Sequence, residues 1–207
     1  MMSAFEALER LKRGNGRFVS GDGVGVTDAD HSRRLELAKD QNPFAIILGC
    51  SDSRVPAELV FDQGLGDLFV IRVAGNIVMP SQIGSVEFAV EQFRTSLVVV
   101  MGHSQCGAVL ATLQQMAQHS ESRSPNLRHI VDAIRPALEE LMEEGGKGQQ
   151  DLMQAAVREN IRASVDHLRR GSQIIEKLIM EERLLVVGAE YSLETGVVHF
   201  FEGDNYE

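Results

Sequence analysis

Apolar residues along this chain fall into two rhythms. One is the short unbroken run. Phe44 to Leu48 and Leu97 to Met101 are wholly apolar, and each is followed at once by a Gly. Such runs fit strands buried on both faces of a parallel sheet. Asp67 to Val73 and Arg183 to Gly188 read as further strands. Gly196 to Glu202 reads as an edge strand after the turn Leu193-Glu194-Thr195.

The second rhythm is helical. Phe5, Leu8 and Leu11 space a helix over residues 3–13, with Gly14 and Gly16 as its stop. A short helix over 28–39 has Thr27 as its N-cap. Residues 56–66 predict a short helix and turn, broken at Gly64 and Gly66. Met79 to Arg94 and Cys106 to His119 predict two longer helices. Residues 120–182 are polar and helical, divided by Gly145, Gly146 and Gly148 and interrupted at Gly171. Strands alternating with helices imply βαβ crossovers. The expectation is an α/β fold: a single domain with a mainly parallel central β-sheet flanked by helices.

In such sheets ligands bind just beyond the carboxyl ends of the strands. Two metal-type ligands stand there. Cys50 follows the first run and His103 the second, and Cys106 follows His103 by three residues at the start of a helix, where thiolate is favoured. A Cys2His set suits zinc in tetrahedral geometry, with the fourth position open as in catalytic sites. Asp52 and Arg54 alternate with Cys50 on a segment read as extended, which places them on one face. Two other readings stay open on spacing alone: buried apolar cysteines, and a thiol nucleophile with a His base. That one constellation uses both cysteines of the chain favours the metal.

Composition narrows the classes. The chain has 207 residues, enough for one domain with a sizeable core, and 43% of them are hydrophobic. Its net charge of −10 gives no electrostatic reason to bind nucleic acid or an anionic membrane. No run approaches the ~20 apolar residues that span a bilayer. The N-terminus lacks the apolar stretch of a secretory signal. Two cysteines are too few for a disulfide scaffold, and as ligands they need a reducing site, so the expected compartment is cytoplasmic. The Gly-rich stretch 21–27 reads as a connection, since no strand precedes it and no Lys-Ser/Thr follows.

The motifs Cys50-Ser51-Asp52-Ser53-Arg54 and His103-Ser104-Gln105-Cys106-Gly107 resemble those of the β-class carbonic anhydrases. The resemblance extends, in the same order, to Gly14-Asn15-Gly16-Arg17-Phe18, Gln41, Phe69-Val70-Ile71-Arg72 and Val187-Gly188-Ala189-Glu190-Tyr191. It implies one domain over 1–207: an N-terminal helical arm (1–40), a zinc-site core (41–119), a helical region (120–182) and C-terminal strands (183–207).

It further implies reversible hydration of CO2 to bicarbonate and a proton, by attack of zinc-bound hydroxide. The zinc ligands would be Cys50, His103 and Cys106. Asp52 and Arg54 would form the assisting dyad, with Asp52 able to turn onto the metal as fourth ligand in a closed form. Gln41, Phe69, Phe88 and Gly107 would touch substrate, Gln41 from across a homodimer or tetramer interface. An effector site for bicarbonate would use Arg72 and Tyr191, but the Trp that completes it in some relatives is Ile47 here. No histidine is assigned as proton shuttle. Hydrolysis of a CO2 analogue such as carbonyl sulfide or carbon disulfide, and a non-catalytic zinc protein capped by Asp52, are the rival readings.

Overall fold

The computed structural model of the chain describes residues 2–23, 31–118, 124–144 and 148–201. Among the described residues five strands form one sheet: β1 (Ala45–Gly49), β2 (Leu68–Arg72), β3 (Leu97–His103), β4 (Leu185–Tyr191) and β5 (Val198–Phe201). Their spatial order is β2-β1-β3-β4-β5. The first four run parallel, and β5 closes the edge antiparallel to β4.

The two ligand-bearing strands, β1 and β3, are neighbours, and Gly49 stands level with Met101. Every residue of both is buried, which explains why their sequences are continuous apolar runs rather than alternating ones.

Each face of the sheet carries its own core. On one face Ile46, Leu48, Val98, Val100 and Val186 pack under α4 (Pro80–Phe93), α5 (Gly107–Gln118), α6 (Pro125–Glu144), α7 (Gln149–Arg170) and α8 (Gln173–Met180). On the other face Ile47, Val99, Met101 and Val187 pack under α1 (Ala4–Ser20) and the short α3 (Ala57–Val60). The remaining helix, α2 (His31–Leu37), is short.

Three expectations are corrected. Helix α1 does not stop at Gly14 or Gly16 but runs on to Ser20. The reason is tertiary: a Cβ at Gly14 would lie 1.8 Å from the Phe61 carbonyl oxygen, so the glycine lets the helix lie against the turn after α3. Asn15, buried beside it, donates to the carbonyls of Val60 and Gly196 and accepts the Val198 N–H. That packing outweighs the roughly 1 kcal/mol a helical Gly costs. The apolar stripe Ala7, Leu8 and Leu11 covers the chain's own core, whereas Phe5 is exposed.

Second, β3 and β4 extend past their predicted ends, to His103 and Tyr191. Third, the segment after Cys50 is not extended. Val55 N–H bonds Asp52 O at 3.1 Å and Arg54 N–H bonds Asp52 Oδ1 at 3.0 Å, which makes an Asp-initiated turn. The Gly-rich stretch from Val24 on, the Thr27 cap, His119, residues 145–147 and the strand end at Glu202 lie outside the described residues.

Candidate metal centre

The carboxyl ends of β1 and β3 open onto one spot. Cys50 leaves β1, His103 ends β3, and Cys106 caps α5, where Leu110 N–H bonds its carbonyl. The turn between His103 and Cys106 is pinned from the side. Ser104 N–H bonds Tyr191 O, Ser104 Oγ accepts the Leu193 N–H, and Gln105 takes a left-handed backbone (φ 55). One ligand atom from each of Cys50, His103 and Cys106 lies within 4.8 Å of the others, and all three residues are buried.

The histidine is prepared for a metal. Its Nδ1 is 2.9 Å from the Ser104 carbonyl oxygen, which can only accept, so Nδ1 carries the proton and Nε2 presents a lone pair. That Nε2 is fully buried and has no hydrogen-bond partner among the described residues. A buried polar atom left unpaired is costly unless something occupies its lone pair. Two soft sulfurs and an imidazole nitrogen fit zinc.

Without metal the two thiols divide one proton between them. The Cys106 hydrogen bond to Cys50 is the main reason the Cys50 thiol falls to about 4; burial opposes it, and His103 and the backbone N–H groups of Gly75 and Asp52 add to it. The same pairing, together with burial and the Cys50 charge, drives the Cys106 thiol up. The helix N-terminus pulls the other way through the Ala108 and Val109 N–H groups and loses.

Asp52 and Arg54 form a two-pronged pair beside the cluster. Arg54 Nε donates to Oδ1 at 2.9 Å and its terminal nitrogen to Oδ2 at 2.7 Å. The Arg54 bond is the largest of the influences that hold the Asp52 carboxyl far below the usual carboxylate range. Asp52 Oδ2 lies 3.9 Å from His103 Nε2, so the carboxylate borders the ligand atoms without being one of them. Arg72 supports the turn from beneath, donating to Cys50 O at 3.0 Å and Asp52 O at 2.6 Å.

A family model described as carbonic anhydrase matches residues 45–198. The chain belongs to the β-class carbonic anhydrases. It is 38% identical over 192 residues to a carbonic anhydrase of Mycolicibacterium smegmatis, covering 93% of this chain and 90% of that enzyme. Among solved structures it resembles a β-carbonic anhydrase of Aspergillus fumigatus, with TM-score 0.73 and 25% identity over 95% of this chain and 89% of that one. It also resembles the tetrameric β-carbonic anhydrases of Sordaria macrospora, with TM-score 0.72 and 25% identity over 81% and 85%.

In this carbonic anhydrase the other sequence-predicted residues do not all gather at the cluster. Gln41 is exposed and precedes β1, so the length of the strand, about 17 Å, separates its end from Cys50. Phe69 is level with Ile46, four residues before Cys50 along the neighbouring strand. It packs with Phe88 and Phe93 in an aromatic group on the β2 edge, where Phe88 is 51% exposed. Gly107 opens α5, and a side chain added there would meet nothing within 4 Å, so open space fronts this helix end.

Arg72 and Tyr191 sit on β2 and β4, with β1 and β3 between them. Tyr191 is buried against Phe18.

One layer of the site went unread. After β2 the chain turns through Ala74–Asn76, and the Gly75 N–H donates to Cys50 Sγ at 3.3 Å. The Gly75 carbonyl in turn accepts from Asn160 Nδ2 at 2.8 Å. The available signal was Asn160 itself, a polar residue between Val157 and Ile161 on the buried stripe of a helix.

Proposed function

We propose that this chain hydrates CO2 reversibly to bicarbonate and a proton, with zinc held by Cys50, His103 and Cys106. The observation that carries the reading is the buried, unpaired Nε2 of His103 converging with two sulfurs. Bound there, zinc supplies the Lewis acidity that makes hydroxide available from water near neutral pH, the behaviour carbonic anhydrases are known for.

The protein's own groups do the rest. Two thiolates offset the charge of the metal, so the nucleophile needs orienting help from outside the ligand set. Asp52 would give it: Oδ2 would accept a hydrogen bond from the attacking oxygen and so aim a lone pair at CO2. Arg54 keeps that carboxylate ionised and, with both forks engaged, off the metal. The Gly107 N–H, at the N-terminus of α5, would donate to an oxygen of bicarbonate, which the open space beside Gly107 supports.

Self-association belongs to the same reading. Gln41 and the Phe69–Phe88–Phe93 group would face the metal centre of a second subunit. The exposure of Gln41 and of Phe88 supports this, as does the tetrameric state of the Sordaria macrospora relatives. The need for two reduced thiols suits a cytoplasmic protein. Among the described residues no helix is long and apolar enough to cross a membrane.

The test is stopped-flow CO2 hydration from neutral to alkaline pH, with zinc content and mass by light scattering measured on the same samples. Turnover should scale with zinc in a dimer or larger assembly. A zinc-replete protein without hydration at any pH would leave the analogue hydrolase or the non-catalytic zinc protein standing. A fully active monomer would remove the cross-subunit roles.

A further inference from the structure

The Gly75 turn is held from every side. A Cβ at Gly75 would stand 2.8 Å from Ile134 Cδ1 and 3.0 Å from Ala108 Cβ, so the residue is wedged between α6 and α5. Its backbone is left-handed (φ 73), as is that of Asn76 (φ 45). A tie comes from α7: Asn160, 2% exposed, spends its amide on the Gly75 carbonyl. With the Cα wedged between the two helices and the peptide plane after it fixed by Asn160, the residue is pinned on one side, and on the other its N–H ends on Cys50 Sγ.

An N–H donated to a thiolate draws charge from the sulfur and weakens it as a donor to a cation. We propose that Asn160 is a positioning residue for the metal centre: through Gly75 it holds an N–H on Cys50 Sγ and so tempers the charge this ligand gives to the metal. The proposal rests on the reading of Cys50 as a ligand. It answers a specific difficulty of that reading, since two unrestrained thiolates would blunt the metal's Lewis acidity. A merely structural Asn160 would satisfy the turn without reaching the sulfur's electrons.

The test begins with intact wild-type protein loaded with cadmium-113. The Gly75 amide proton should show scalar coupling to the metal through Cys50 Sγ, and the Asn160 side-chain nitrogen should couple to the Gly75 carbonyl carbon. Loss of either coupling overturns the relay without any variant. The second arm is the cobalt(II)-loaded protein. In Asn160→Ala, or in Asn160→Ser if the alanine variant does not fold, the sulfur-to-cobalt charge-transfer band should move to lower energy. Asn15→Ala is the control, because Asn15 is also a buried amide bonded to backbone carbonyls but lies on the α1 side. It should lower the melting temperature and leave the band in place. An unmoved band in the Asn160 variant, with a stability loss like that of the control, reduces Asn160 to a structural role. Failure of the wild-type protein to bind cadmium or cobalt at all would instead sink the ligand assignment.

Discussion

The two ligand loops, one after β1 and one after β3, are built to opposite designs. The β3 loop is shut away: His103 and Cys106 are 0% and 1% exposed, and the hairpin between β4 and β5 clamps their turn. The β1 loop gives one buried sulfur and then emerges. The Asp52 side chain is 18% exposed and that of Arg54 55%. Held from below by Arg72 and from behind by Gly75, it carries a charged pair at the mouth of the site. Under the proposed function, the closed loop would chiefly hold the metal and the open one would steer the reaction. Cys50 would then act with the closed loop although it sits on the open one.

The largest effect should come from breaking the holding set. His103→Ala, Cys50→Ser and Cys106→Ser each leave two ligands, too few for tight binding. Zinc analysis after dialysis should find each variant depleted and inactive. Full occupancy with normal turnover in any of them would erase the contrast.

Next in size is the steering group. Asp52→Ala should keep its zinc and lose activity by on the order of 10²-fold, the scale of a misplaced nucleophile. Wild-type turnover in that variant would make Asp52 a structural partner of Arg54.

A smaller and more diagnostic change concerns pH. The Asp52 carboxyl is depressed, mostly by its Arg54 bond. A depressed carboxyl adds stability that is complete above its unfolded value of about 3.9 and is lost only as pH falls through the folded one. Near neutrality the pair is therefore insensitive to pH. Arg54→Ala removes the main lowering influence, so Asp52 should protonate at higher pH. Carboxyl-carbon NMR of the variant should show Asp52 titrating at higher pH than in the wild type; an unmoved titration would detach Arg54 from the ionisation of Asp52.

Much of this was legible in the sequence, for a physical reason. Strands buried on both faces leave continuous apolar runs, and Cys50 and His103 stand just past two of them, so the convergence of ligands follows from adjacency of β1 and β3. What was not legible depends on contacts distant in sequence. Gly14 reads as a helix breaker until the Phe61 carbonyl is known to lie against it. Alternation along an extended chain predicts one face for Asp52 and Arg54, whereas the Asp side chain folds its own backbone into a turn. Asn160 is 110 residues from Cys50 in the chain, and only the packing of α7 over the sheet joins them.

The smallest effect expected is regulation. Ile47 is fully buried in the sheet and its side chain offers no N–H, and the Arg72 guanidinium donates to the carbonyls of Cys50 and Asp52. Added bicarbonate, at fixed pH and ionic strength, should inhibit weakly and without cooperativity. Steep, sigmoidal inhibition would show that an effector site survives without the indole.

X-ray absorption at the zinc edge of the loaded wild-type protein tests the central claim most directly. The account predicts two sulfurs at about 2.3 Å, one imidazole nitrogen at about 2.0–2.1 Å and a single oxygen completing the tetrahedron. A shell lacking either sulfur or the imidazole would contradict it.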